Sequence, residues 1–255
     1  MKTDLIKTSN EFIIGKNPIK EALASNRYID SIMVAKGVQK NSLGVIIKTA
    51  KELKIPIKEV DSKKLDFLSQ NANHQGVIAV VAAHKYSSVD EIFEVAKNKN
   101  QHPFIIVADE IADPHNLGAI IRSAECSGAH GVIIPNRRAA GLTFSVAKSA
   151  AGALEHIKVA RVKNISATLD MLKKRGVWVF GADMDGQTYC QTDLTGPIAL
   201  VVGSEGFGLS RLIKEKCDTI ISLPICGKIN SLNASVAAGI FMYEIARQRL
   251  KLLAK

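Results

Sequence analysis

The sequence predicts an α/β protein in two parts, and three observations carry that prediction. Short apolar runs alternate with segments of helical spacing along nearly the whole chain. A polar stretch at residues 86–101 interrupts the alternation once. Several apolar runs end in loops rich in Gly, Asn, Ser or Pro, as strands do.

The first part covers residues 10–85. Asn17-Pro18 reads as a turn that leads into a short amphipathic helix from Ile19. Residues 31–35 form a β-type run, and 41–53 carry apolar residues at helical spacing (Leu43, Ile46, Ile47, Ala50, Leu53). Ile55-Pro56-Ile57 begins another extended piece, and 65–68 sit in a short helix. Residues 76–83 are continuously apolar, as expected of a strand buried on both faces. These elements suffice to close a small core. Residues 86–101, with Ser87-Ser88, one short helical pattern and a polar run at 97–101, read as a linker.

The second part covers residues 102–250. Strand-like runs at 104–108, 131–135, 177–180, 198–202 and 220–223 alternate with helical segments at 116–126, 143–150, 165–175, 210–216 and 232–248. Strands alternating with helices imply a parallel sheet covered on both faces.

Composition narrows the function classes. The chain has 255 residues, of which 47% are hydrophobic and 23% charged, so disordered and low-complexity classes are excluded. The net charge of +10 fits a polyanionic partner. Residues 1–86 hold 14 bases against 8 acids, which makes the first third the more basic part. Residues 1–11 lack the apolar core of a secretory signal, and the apolar run at 77–83 is far short of the roughly 20 residues that cross a bilayer. No membrane association and a cytoplasmic location are therefore expected. Cys126, Cys190, Cys217 and Cys226 form no C-x-x-C pair, and the histidines are scattered. The thiols are expected to be reduced and mostly buried, with no metal site.

In an open α/β sheet, ligands bind at the C-terminal ends of the strands. Three loops there stand out. After 104–108 comes Asp109 to Ser123, with Asn116 as a helix cap, Gly118 and Arg122. After 198–202 comes Gly203-Ser204-Glu205-Gly206-Phe207-Gly208, whose glycines let a ligand approach the backbone. It lacks the third glycine of a dinucleotide loop, and Gly227-Lys228 followed by Ile229 excludes a P-loop. After 220–223 comes a loop in which Ser231 and Asn233 can cap the long final helix.

Taken together, Asp113-Pro114-His115-Asn116-Leu117-Gly118-Ala119-Ile120-Ile121-Arg122, Gly203-Ser204-Glu205-Gly206-Phe207-Gly208-Leu209 and Leu223-Pro224 through Ser231-Leu232-Asn233-Ala234-Ser235 resemble the three motifs of the SpoU class of RNA ribose 2′-O-methyltransferases. That family belongs to the SPOUT superfamily, and the match covers about residues 101–250. Gly15-Lys16-Asn17-Pro18-Ile19-Lys20-Glu21-Ala22-Leu23 and Asn73-His74-Gln75-Gly76-Val77 resemble a substrate-binding domain similar to ribosomal protein L30e. The resemblance implies a small L30e-like α/β domain followed by a trefoil-knotted methyltransferase domain with a mostly parallel sheet. Pattern alone would have favoured an unknotted sheet. It also implies a homodimer joined through the final helix.

The resemblance further implies S-adenosyl-L-methionine as cofactor, held by Gly203, Leu223 and Leu232, with Gly208 and Ser231 beside them. Arg122 is the residue matching the family's catalytic arginine, Glu205 orients it, and Asn116 and Asn233 position the ribose or the arginine. The candidate RNA-binding residues are Lys16, Lys20, Arg27, Lys36, Lys40, Arg137 and Arg138. Aromatics are scarce in the first part, so recognition by shape and phosphate is expected there. The implied substrate is a guanosine ribose of 23S ribosomal RNA. Alternatives are a transfer RNA, an adenosine of the same ribosomal RNA modified by a resistance enzyme, or a non-catalytic RNA-binding assembly factor.

Overall fold

A computed structural model describes residues 11–25, 27–38, 43–204, 206–229 and 231–251. Contacts divide the chain into two units, Met1–Lys85 with Gly141–Phe144, and Tyr86–Ala140 with Ser145–Lys255.

The first unit is a four-stranded sheet with helices on both faces. In chain order its elements are β1 (Phe12–Ile14), α1 (Lys16–Ala24), β2 (Ile29–Ala35), α2 (Gly44–Glu52), β3 (Ile57–Val60), α3 (Ser62–Leu68) and β4 (Val77–Val81). The strand order is β1-β4-β2-β3, with β4 antiparallel to both neighbours and β2 parallel to β3. β4 is buried throughout, which accounts for its unbroken apolar run. Ile19, Leu23, Ile46 and Ala50 pack α1 and α2 on one face of the sheet, and Leu65 of α3 packs on Ala35 and Ile78 on the other. The first helix starts at Lys16 rather than after the Asn17-Pro18 pair. Proline is accepted there because the first-turn amides need no intrahelical partner.

The second unit runs α4 (Val89–Asn98), β5 (Phe104–Ala108), α5 (Pro114–Cys126), β6 (Gly131–Pro135), α6 (Phe144–Ala150), β7 (Lys158–Val162), α7 (Ile165–Lys174), β8 (Trp178–Thr188), β9 (Ile198–Val202), α8 (Arg211–Lys216), β10 (Thr219–Ser222) and α9 (Ala234–Arg249). Its six strands are all parallel, in the order β10-β8-β9-β5-β6-β7. The central strands β5 and β9 are buried along their full length.

Three expectations need correction. Most of the segment read as a linker is α4, and it belongs to the core. Ser88 and Glu91 close a capping box, and Ile92 and Ala96 are buried. Ile92 presses on Gly131, where a Cβ would lie 2.5 Å from its Cγ1. The polar run at 97–101 is only the exposed end of that helix and the turn after it. The second correction is β7, an edge strand that the sequence reading lacked. Its Lys158 is exposed and its alternation is short, so it carries little apolar signal. The third concerns the thiols. Cys126, Cys190 and Cys226 are exposed and Cys217 is half-buried, because each lies in or beside a loop, helix end or turn.

His130 joins the start of β5 to the turn before β6. Its Nδ1 accepts the Phe104 N–H at 2.9 Å, so its proton sits on Nε2 and is donated to Gln101 at 3.0 Å. Burial above all, then Lys99 and Arg249, push the imidazole down from 6.5 to about 4. The folded protein therefore resists a proton that the unfolded chain accepts. Stability is complete above pH 6.5 and is lost as pH falls from 6.5 through 4, by about 3 kcal/mol in full. Urea unfolding at pH 7 and pH 5 should show a loss of about 2 kcal/mol. In His130→Asn, whose side-chain oxygen can still accept from Phe104, that loss should disappear.

Candidate active site

In a parallel sheet every strand ends at the same edge, so the loops after β5, β6, β8, β9 and β10 are brought together there. The first opens α5. Asp113, not Asn116, is the N-cap, accepting from the amides of His115 and Asn116, with Pro114 in the first turn. Asn116 is thereby freed for another task. It is buried inside the helix, and its Oδ1 accepts from Nδ2 of Asn233 at 2.9 Å. Asn233 caps α9, its Oδ1 accepting from the amides of Ser235 and Val236 and the Ser235 hydroxyl. Both ends of the Asn233 amide are thus assigned, and two residues 117 apart in sequence are locked together. The cap and the inter-helix bond are made by the same side chain.

Gly118 lets α5 meet α6, since a Cβ there would lie 2.4 Å from Cβ of Ser149 and 2.8 Å from the Val146 carbonyl. Arg122 lies one helical turn further along that stripe. It is exposed and makes no hydrogen bond or ion pair with any described residue. Glu205, expected to orient it, lies outside the described residues.

The loop after β9 is shaped by a crossing of backbone on backbone. Gly203 admits no side chain, because a Cβ would lie 2.2 Å from the Gly208 carbonyl oxygen. Gly208 is left-handed at φ 59° and donates its N–H to Ser204 O at 2.9 Å. Beside this loop opens a cleft of about 340 Å³. All five residues expected to hold a cofactor line it: Gly203, Gly208, Leu223, Ser231 and Leu232. Val202, Ile225, Ala237 and Phe241 add apolar wall. Asn116, Asn233 and Arg122 are not in the lining, although Ser231 and Leu232 directly precede Asn233.

The sequence reading missed Asp183, Asp185 and Lys214, which also line the cleft. The available signal was Asp183-Met184-Asp185 beyond a strand, hidden because β8 extends eight residues past the predicted end of that run. Asp109, at the end of β5, is also buried. Burial, then the adjacent Glu110, raise its carboxyl above the usual range.

The candidate RNA-binding residues divide. In the first unit, Gly15 N donates to Val77 O, Lys16 N to Gln75 Oε1, and Ala35 N to Gly76 O. This places Lys16, Lys36 and the turn at 73–76 on one edge of the sheet. His74 braces that turn, accepting the Gly76 N–H on Nδ1 and donating from Nε2 to Asp66 at 2.9 Å. Lys20 is one turn along α1, exposed, whereas Arg27 lies before β2, at the other edge. Lys40 lies outside the described residues. In the second unit, Arg137 and Arg138 are exposed just past β6, and Arg138 pairs with Glu110 at 3.1 Å.

Among the described residues, no group of three or more His, Cys, Asp or Glu is placed to hold a metal ion, and no helix is long and apolar enough to cross a membrane.

Residues 103–243 match the SpoU rRNA Methylase family, and residues 12–87 match a family described as RNA 2′-O ribose methyltransferase substrate binding. YacO of Bacillus subtilis (strain 168), assigned to the TrmH family of tRNA/rRNA methyltransferases, is 48% identical over 94% of this chain and 96% of its own length. A relative from Staphylococcus haemolyticus with the same family assignment is 45% identical over 93% and 95%. Among solved structures, the SpoU methyltransferase AviRb of Streptomyces viridochromogenes, in complex with AdoMet, superposes with a TM-score of 0.60 at 26% identity over 94% of this chain and 90% of its own. The TrmH/SpoU tRNA-modifying enzyme of A. aeolicus gives 0.54 at 27% identity, but over only 64% of this chain and 84% of its own.

Proposed function

The chain belongs to the SpoU rRNA methylase family, an S-adenosylmethionine-dependent RNA methyltransferase family, and from that premise we propose that it methylates a ribose 2′-hydroxyl of large-subunit ribosomal RNA, at a guanosine. The observation that carries this reading is the convergence of three separate loops on one edge of the sheet, with five expected cofactor residues around a single cleft.

The residues present suit the cofactor. The cleft volume is in the range of small-molecule sites, at about 300–1,000 Å³. Apolar faces of Leu223, Ile225, Leu232 and Phe241 offer a wall for the adenosine, and the glycine backbone offers close polar contacts. Bound S-adenosylmethionine supplies an electrophilic methyl group on a positively charged sulfur. The rest of the work falls to the protein. A ribose hydroxyl is a weak, neutral nucleophile that must be held about 3–3.5 Å from the methyl carbon. Asn116 and Asn233 form a rigid hydrogen-bonded pair beside the cleft and orient the ribose. Arg122 stabilises the developing alkoxide and the adjacent phosphate; a guanidinium has no lone pair to act as an efficient base, so the hydroxyl proton passes to solvent water as the oxygen takes the methyl group. Glu205 orients Arg122.

Arg122 lies outside the cleft lining, which fits a site completed by a second copy of the chain. α9 supports such a homodimer, since Val236, Ile240 and Tyr243 expose an apolar stripe at helical spacing. Lys16, Lys20, Lys36 and the braced turn at 73–76 supply a phosphate-binding face in the first unit, with Arg137 and Arg138 adding charge on the second. Ribosomal RNA is favoured over transfer RNA because a whole unit matches the substrate-binding family, while the tRNA-modifying enzyme of A. aeolicus aligns with only 64% of the chain. With such a substrate the protein acts in the cytoplasm.

The test is reverse-transcription mapping of 2′-O-methyl groups in total RNA from cells with and without the gene. One methylated guanosine in 23S RNA should vanish. A lost site in transfer RNA would overturn the ribosomal target, and an unchanged map would overturn the enzymatic reading in favour of an assembly factor.

A further inference from the structure

We propose that Asp183 is a positioning residue for the cofactor, holding the glycine loop closed against the cleft through the Leu209 amide and the Lys214 ammonium. This rests on the reading of the cleft as the S-adenosylmethionine site.

The loop between β9 and α8 has glycine at 203, 206 and 208, so its sequence supplies little stiffness of its own. Its position must be imposed from outside. Asp183, in the middle of β8 just past Ala182, the last residue paired with β9, does this with three bonds. It accepts from Nζ of Lys214 at 2.8 Å, from the Leu209 N–H at 3.3 Å and from the Met184 N–H at 2.8 Å. The first two reach the end of the loop and the helix that follows it. The third ties the carboxylate to the strand from which it projects.

The carboxylate is close-packed against the loop. A Cβ on Gly208 would lie 2.9 Å from Oδ2 of Asp183, so glycine at 208 answers both to the left-handed backbone and to this contact. The Asp183 side chain is only 7% exposed, so these partners cover most of its surface. Burial pushes its carboxyl up, but the hydrogen bonds from Lys214, Leu209 and Met184 outweigh burial and hold it below the usual carboxylate range. It remains ionised wherever the enzyme works. Asp183, Lys214 and Gly208 all line the cleft, so the latch and the cofactor share a wall. Asp185, 3.8 Å from Nζ of Lys214 and largely exposed, is a weaker second partner.

The test is titration calorimetry of S-adenosylmethionine with the full-length protein, its Asp183→Ala and Asp183→Asn variants, and steady-state kinetics on RNA. Asp183→Ala should raise the cofactor Kd about tenfold or more, as expected when a charge-assisted hydrogen bond is lost. Turnover at saturating cofactor and KM for RNA should stay within about twofold. Asp183→Asn keeps an acceptor for Leu209 and should fall between. A folded Asp183→Ala protein with wild-type cofactor affinity, or one that loses turnover with Kd unchanged, would overturn the proposal. If that variant does not fold, Lys214→Gln with amide exchange over residues 206–209 decides. Faster exchange with weaker binding supports the latch, and unchanged exchange and binding refute it. If the wild-type protein itself bound no S-adenosylmethionine, the reading of the cleft would fail instead.

Discussion

Arg122→Ala should abolish practical methyl transfer, lowering turnover about a thousandfold while leaving S-adenosylmethionine affinity unchanged. The size follows from the loss of a preorganised donor at a developing oxyanion, which costs about 10²–10³ in turnover. The separation of effects follows from position. Arg122 is exposed on α5 and is absent from the cleft lining, so its loss leaves the cofactor walls intact. Arg122→Lys refines the assignment, because an ammonium keeps the charge but not the planar two-pronged donor. A loss of about 10–100-fold in that variant fits simultaneous contact with the alkoxide and a phosphate. Near-full activity would mean that charge alone suffices. Single-turnover assays at saturating cofactor and RNA, alongside calorimetry, measure both quantities; substantial turnover in Arg122→Ala would remove the residue from the mechanism.

Gly203→Ala should destroy the cofactor site. The new methyl would lie 2.2 Å from the Gly208 oxygen, 2.3 Å from its carbonyl carbon and 2.7 Å from the Leu209 nitrogen. All three are backbone atoms, so no side-chain rotation relieves the clash. The loop has to open, and with it the hold of Asp183 on Leu209. A cost of about 3 kcal/mol, or roughly 100-fold in cofactor Kd, is expected, with a lowered Tm. Gly196→Ala, outside the cleft lining, is the control. No atom lies within 4 Å of a Cβ there and its φ is not in the left-handed region, so its Kd should match wild type. Equal binding by Gly203→Ala and wild type would show that the crossing at 203 does not shape the site.

Much of this molecule was legible in the residues because some signals are local. Fully apolar runs such as 104–108 and 198–202 mark central strands, since burial on both faces removes any need for polar alternation. The cap at Asn233 is equally readable, whereas the sequence places the start of α5 at Asn116, three residues after its cap at Asp113. Weak signals failed in the opposite case. β7 at the sheet edge has too little buried surface to announce itself, and the exposed polar end of the helix at 89–98 made that helical pattern read as part of a linker.

By itself, then, the sequence determined the α/β class, the order of the main strands and helices, and the three loops that belong together. It also set the basic surplus, weighted toward the first 86 residues. The tertiary structure alone decided that Asp113 rather than Asn116 caps α5, that Asn116 bonds to Asn233, and that α4 packs into the core of the second unit. It alone decided that Asp183 and Lys214 form part of the cleft wall. The physical reason is range. Caps and periodic burial act within a few residues, so they leave their record in the neighbouring sequence. A hydrogen bond across 117 residues, or a carboxylate packed against a distant loop, exists only once the sheet has brought the strand ends together.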